Sequence, residues 1–275
     1  MSVSGYSTPK PCPNTARRQR PKKPLTAEAI IAAFNTWAFK REQPSDMTLL
    51  NGAVADALAK RQPIQFVLYW GKGPRSEMAE PDAECLAYLA SFAARINSVY
   101  APGAELMLIY TDTHAALNGH PVADMRNYFD EIATAAAVHG FKGCRLGDLV
   151  ERHRGNVVPC SNHPRSSAVL SNLTRSATRW YRGDGDARAG AAAYYDMNMI
   201  ERQVIELAFP AAIFITFNGS DLQDLFPDRL PVFYMYSLRK GFGVKPWFLD
   251  ATGAEPPATG ANRSTSDVSG DHAVA

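Results

Sequence analysis

The feature that most constrains the fold of this chain is the order in which two kinds of apolar pattern follow one another between residues 64 and 138. "IQFVLYW", Ile64 to Trp70, is a short apolar run rich in β-branched and aromatic residues and bounded by Pro63 and Gly71, as a buried strand would be. "EPDAECLAYLASFAARIN" comes next, with Pro81 at a helix-opening position, acidic residues in the first turn, and Cys85, Leu89, Phe92 and Ile96 on one helical face. The turn "APG", Ala101 to Gly103, leads into "ELMLIY", a second buried run, and the spacing predicts a helix from about Ala123 to Val138. Strand, helix, strand, helix with short turns is the pattern of a parallel sheet covered on its faces.

The flanking segments extend that pattern. "LTAEAIIAAFNTWAF" carries a Thr26 cap signal before a helical run, and "LLNGAVADALAKR" repeats the helical spacing. Later, "AAAYYDMNMIERQVIELAF" places Met197, Ile200, Val204 and Leu207 on one face, and strand-like "AAIFITF" and "LPVFYMYSL" come after it. The expected fold class is α/β: a Rossmann-like, mostly parallel sheet covered by helices. Residues 1–23 and 251–275, rich in Pro, Gly, Ser, Thr and Ala, are expected to be disordered, leaving 24–250 as a single domain. The first of these segments holds "ARRQRPKK", read as a solvated basic arm.

Charge and cysteine usage narrow the function classes. Twenty-nine basic against 27 acidic residues leave a formal charge of +2, which implies neither a nucleic-acid nor an acidic-membrane partner. No apolar run approaches the roughly 20 residues of a membrane helix, and no signal-peptide core is present, so a cytoplasmic protein is expected. Cys12, Cys85, Cys144 and Cys160 form no CxxC pair and read as reduced thiols.

The residues immediately after each apolar run carry the chemistry. Trp70 precedes "GKGPR", with Lys72 between two glycines and Arg75 nearby: a plausible anion seat, because glycine lets backbone amides approach a phosphate that the cations neutralise. It lacks the P-loop pattern, and an ordinary basic turn is the plain alternative. Tyr110 precedes "TDTH", with Asp112 and His114, and Phe217 precedes "NGSD", with Asn218. "YSLRKGFGVKPWF" adds Arg239, Lys240 and Lys245 before Trp247. In open parallel sheets ligands bind beyond the carboxyl ends of strands, so these loops converge on one site if the third strand is also parallel. Asp112 and His114 are also metal-ligand types, but no HExxH or second cluster accompanies them; His120, before Pro121, reads as a turn residue. A nucleophile elbow is absent from the sequence.

The same segments resemble the isocyanide (isonitrile) synthase family, also called the pyoverdine/dityrosine biosynthesis family. "KRQPIQFVLYWGKGP" is similar to that family's strand and lysine loop, and "EPDAECLAYLASFAARINSVYAPGAELMLIYTDTHAALNG" to its helix, strand and "SDG" loop. "AAYYDMNMIERQVIELAFPAAIFITFN" and "VKPWF" resemble its late helix and strand and its "TPWH" ending, and the matches run in order over most of 24–250. The resemblance implies a Rossmann-like enzyme of secondary metabolism that converts an amino acid's amino group, commonly of tyrosine or tryptophan, to an isonitrile. The carbon comes from ribulose 5-phosphate, without metal or organic cofactor, and a downstream iron and 2-oxoglutarate-dependent oxygenase is a possible pathway partner. Lys72, Asp112 and Trp247 match the family's loop lysine, loop aspartate and "PWH" tryptophan. The resemblance, joined to the strand-end reading, gives Lys72, Asp112 and His114 as catalytic candidates and Arg75, Asn218, Arg239, Lys240 and Trp247 as substrate-binding ones. Two family histidines are replaced, by Asn218 and Phe248, which leaves as an alternative a non-catalytic or altered-chemistry relative binding a phosphorylated or amino-acid-like small molecule; the ligand types of Asp112 and His114 leave a second, a metal-dependent enzyme.

Overall fold

A computed structural model describes residues 24–158, 165–238, 244–250 and 252–254. The basic arm, Cys12, Cys160, Arg239 and Lys240, along with almost all of 251–275, lie outside the described residues. The elements in chain order are α1 (Ala27–Phe34), α2 (Met47–Lys60), β1 (Ile64–Trp70), α3 (Glu80–Asn97), β2 (Ala104–Tyr110), α4 (Asp112–Leu117) and α5 (Val122–Val138). They continue with β3 (Lys142–Arg145), α6 (Leu146–His153), α7 (Ser167–Trp180), α8 (Ala187–Ala208), β4 (Ile213–Thr216) and β5 (Val232–Tyr234). The five strands form one sheet in the order β3-β2-β1-β4-β5, every pair parallel. The expected Rossmann-like α/β fold is therefore the observed one. Among the described residues no helix is long and apolar enough to cross a membrane.

The two faces of the sheet are covered by different helices, and strand alternation assigns each side chain to one of them. Ile64, Phe66, Leu68 and Trp70 of β1, with Leu106, Leu108 and Tyr110 of β2, pack under α1, α2, α3 and α5. Val67 and Ile109 point the other way, into a second core with α6, α7 and α8. On the first face Phe34, Phe66, Phe92 and Phe233 meet edge to face at centroid separations of 5.1–5.8 Å, the geometry aromatic quadrupoles favour, apart from the more tilted Phe92–Phe233 pair.

The caps and stripes follow local chemistry. Thr26 accepts from the amide of Ala29 at the start of α1, as its sequence signal predicts, and Asp46 accepts from Thr48 and Leu49 at the start of α2. Cys85, Leu89, Phe92 and Ile96 of α3 are all fully buried. On α8 the expected face is rotated. Leu207 is exposed and Met197 and Ile200 are only partly covered, while Tyr195, Asn198, Met199, Glu201, Val204 and Ile205 are buried. The inward stripe of α8 carries polar groups because it borders a cavity, so apolar periodicity alone points away from it.

Candidate functional site

With β1 flanked by β2 on one side and β4 on the other, all parallel, the chain reverses its direction of travel across the sheet at the β1/β4 boundary. The crevice beyond the carboxyl ends of strands at such a switch point is where open α/β sheets bind ligands. A cavity of about 350 Å³ lies there, within the size range of small-molecule sites, roughly 300–1,000 Å³. The β1 end supplies Tyr69, Gly71 and Lys72; the β2 end supplies Thr111 and His114; the β4 end supplies Thr216, Phe217 and Asn218. Helices α7 and α8 close it with Arg175, Trp180, Tyr194 and Asn198, and the C-terminal segment adds Lys245, Trp247 and Phe248.

The most organised group is centred on His114. Its Nε2 lies 2.5 Å from Oε2 of Glu201, which is only 1% exposed, and Oε1 of the same carboxylate accepts from Thr113 Oγ1 at 2.7 Å. A carboxylate accepting from Nε2–H sets the orientation and tautomer of the ring and leaves Nδ1 as its other nitrogen for proton transfer. Tyr194 and Tyr69 hold the ring edge-on at centroid distances of 4.7 and 5.8 Å. Burial, reinforced by the nearby Glu201 charge, raises the Tyr69 hydroxyl well above its ordinary value, so it remains a proton donor. Glu201 reaches this place because Ala191, Tyr194, Asn198 and Glu201 recur three, four and three residues apart along one stripe of α8.

The lysine loop is built differently from the anion seat its glycines suggest. A Cβ on Gly71 would stand 2.5 Å from the Trp247 indole, and one on Gly73 would stand 1.8 Å from the Trp247 carbonyl oxygen. These glycines make room for the C-terminal segment. Arg75 is not part of the cavity wall. Its Nη1 pairs with the fully buried Asp82 at 2.8 Å, Nε donates to Leu249 O at 2.7 Å, and Nη2 donates to Pro246 O at 3.0 Å, so the guanidinium is consumed in clamping that segment to the loop. Asp82 also accepts from Tyr128 Oη at 2.8 Å, and that hydroxyl accepts from Trp70 Nε1 at 3.2 Å. Lys72 does reach the cavity. It is 4% exposed, its ammonium donates to the carbonyls of Gly73 and Arg75, and it lies over the Tyr128 ring at 5.3 Å; burial lowers its pKa.

Asp112 is set back from the cavity. Its Oδ1 accepts from the amides of Gly147 at 2.9 Å and Thr113 at 3.1 Å, so it satisfies the open start of α6. Asp112 and His114 thus serve different partners, and among the described residues no group of three or more His, Cys, Asp or Glu is placed to hold a metal ion. His120 ends the turn after α4, its amide bonded to Ala115 O, and burial beside Lys72 pushes its pKa down to about 4.

The substrate-binding candidates Asn218 and Trp247 line the cavity, and so does Phe248. Phe248 stacks on Trp180 at 4.5 Å with 14° between the planes, making an aromatic wall with Trp247 and Phe217. Lys245, part-buried in that wall, has its pKa brought down to about 8 by burial and by the Arg41 charge, with Asp221 opposing. Sequence reasoning missed Glu201, Tyr69, Tyr194, Arg175 and Trp180. Tyr69 is one aromatic within the apolar run of β1, and the other four are aromatic and polar residues at helical spacing on α7 and α8, patterns that read equally well as core or surface.

No protein-family model matches the sequence, and no curated protein does. Among solved structures, the chain is similar to the PvcA protein from Pseudomonas aeruginosa, with 17% identity, a TM-score of 0.65, and coverage of 80% of this chain and 87% of that one. Weaker likenesses extend to a tyrosyl-tRNA synthetase from Leishmania major in complex with tyrosinol (10% identity, TM-score 0.48, 78% and 32% covered) and one from Archaeoglobus fulgidus complexed with L-tyrosine (14%, 0.42, 74% and 63%). In three dimensions, therefore, this chain has the fold of PvcA.

Proposed function

We propose that the protein is an isonitrile-synthase-like enzyme that joins the amino group of an amino acid to the carbonyl carbon of ribulose 5-phosphate and carries that carbon forward to an isonitrile. The observation that carries this reading is the His114–Glu201 pair, set into an aromatic-walled cavity at the switch point of a PvcA-like sheet. The chemistry needs an amine brought against a ketone, proton transfers at neighbouring atoms, and exclusion of water. Imidazole Nδ1 is the base, its tautomer held by Glu201, and the Tyr69 hydroxyl is a donor on the same wall. Trp180, Tyr194, Phe217 and Phe248 offer flat apolar surfaces for the amino acid side chain.

Incubating the full chain with amino acids and ribulose 5-phosphate, and searching by mass spectrometry for an isonitrile, tests this directly. A product is expected with an aromatic amino acid, and a negative across all common amino acids contradicts the reading. A second reading, a non-catalytic relative that binds the same ligands, is favoured by Asn218 and Phe248, which line the cavity where the family motifs carry histidine. Thermal stabilisation by ribulose 5-phosphate without any turnover is its signature.

A further inference from the structure

We propose that Lys245 is an amine nucleophile, forming an imine with the carbonyl carbon of the ketose phosphate before the amino acid amine displaces it. The inference rests on the reading that the cavity takes such a ketone. Among the described residues two lysines line the cavity, and their surroundings differ. Lys72 is engaged: its ammonium donates to two loop carbonyls and lies on the Tyr128 ring. Lys245 has no hydrogen-bond or ion-pair partner among the described residues. The ring of Phe248, 5.9 Å from Nζ, is its near neighbour.

Its backbone, by contrast, is held firmly. Ser237 Oγ donates to Val244 O at 2.7 Å, Lys245 O accepts from Phe248 N at 3.0 Å, and Arg75 grips Pro246 O and Leu249 O. Trp247 is seated against Gly71 and Gly73. A fixed main chain with an amine that has no hydrogen-bond or ion-pair partner among the described residues, in an aromatic cavity, is what a lysine nucleophile requires. Desolvation beside another cation, here Arg41, leaves a usable fraction of that amine unprotonated near neutral pH.

The step balances without an oxidant or reductant. The Nζ lone pair adds to the carbonyl carbon, and the carbon–oxygen π pair moves to oxygen. That oxygen takes one proton from the lysine nitrogen and one from a general acid, and leaves as water, giving an iminium. The amino acid nitrogen adds to the same carbon, the lysine amine departs, and the amino acid–ketose imine remains with Lys245 regenerated.

The test is reductive trapping of the full chain with ribulose 5-phosphate and cyanoborohydride, followed by peptide mapping. The expected result is a reduced pentulose phosphate adduct on the peptide holding Lys245, well above the background on exposed lysines such as Lys60. Lys245→Arg, which keeps the cation but cannot form an imine, is expected to lose the adduct and the turnover together while keeping the thermal midpoint. No adduct above background at Lys245, or a Lys245→Arg variant with undiminished turnover, overturns the proposal and makes Lys245 an anion ligand. An adduct at Lys245 without any isonitrile overturns the reaction proposed above and leaves this inference standing. An isonitrile formed without an adduct does the reverse.

Discussion

Replacing His114 with Gln is expected to lower turnover by about 10²- to 10⁴-fold, the usual contribution of a positioned acid–base group, while leaving the protein folded. Gln is the informative substitution because its amide can still donate to Glu201, which sits at 1% exposure and would otherwise lose its partner. Glu201→Gln should act through the same imidazole: it removes the carboxylate charge and replaces one of the two acceptor oxygens with a donor, which weakens the hold on the tautomer, but it touches no cavity atom. Because the two residues work as one unit, the double variant should fall little further than the weaker single variant, and that non-additivity is what a merely structural pair would not give. Steady-state rates of the two single variants and the double variant, each checked for an unchanged thermal midpoint, decide the matter. Full turnover in a folded His114→Gln variant removes His114 from the chemistry.

Gly73→Ala is expected to cost about 3 kcal/mol or more, at the upper end of overpacking effects, because the added methyl would stand 1.8 Å from a backbone oxygen of Trp247 rather than from the tip of a flexible side chain. The strain has one relief, displacement of the segment carrying Lys245, Trp247 and Phe248, so the wall of the cavity should be lost with the stability. Gly52→Ala provides the contrast. Gly52 is on the exposed side of α2 with nothing within 4 Å of its added Cβ, and Ala there should stabilise by about 0.5–1 kcal/mol. Denaturant midpoints of the two variants measure both effects. A Gly73→Ala protein as stable as the parent contradicts the packing described for the lysine loop.

The contrast between those two glycines shows where sequence reading succeeds and where it stops. Strands β1 and β2, helix α3 and the order of elements were legible because one-sided burial writes its own period into the residues, as Cys85, Leu89, Phe92 and Ile96 do. The short β3, which runs directly into α6, has no such period, so nothing in its residues marks it as a strand. The lysine loop was legible as a special place but not in its purpose: Gly71 and Gly73 meet a tryptophan more than 170 residues away in the chain, and no local pattern encodes that contact.

The same limit explains the site. Asp112 and His114 are two residues apart at one strand end, yet one turns to the amide of Gly147 and the other to Glu201. Which of two neighbouring ligand-type residues faces a cavity is settled by the helix packed above them. On α8 the stripe toward the site is Tyr194, Asn198 and Glu201, whereas apolar periodicity selects Met197, Ile200, Val204 and Leu207, of which Val204 alone is fully buried. Arg75 is a third case: a guanidinium next to glycines suggests an anion, but the buried carboxylate of Asp82 and two distant carbonyls claim it first.

If the cavity over β1 and β4 builds an isonitrile from an amino acid nitrogen and a ketose phosphate carbon, isotope tracing tests it most directly. The full chain is given an aromatic amino acid and ribulose 5-phosphate labelled throughout with heavy carbon, and the product is analysed by mass spectrometry. The expected product is an isonitrile carrying one heavy carbon and the unlabelled skeleton of the amino acid. A product without the label, or no isonitrile from a folded protein with any common amino acid, contradicts that chemistry.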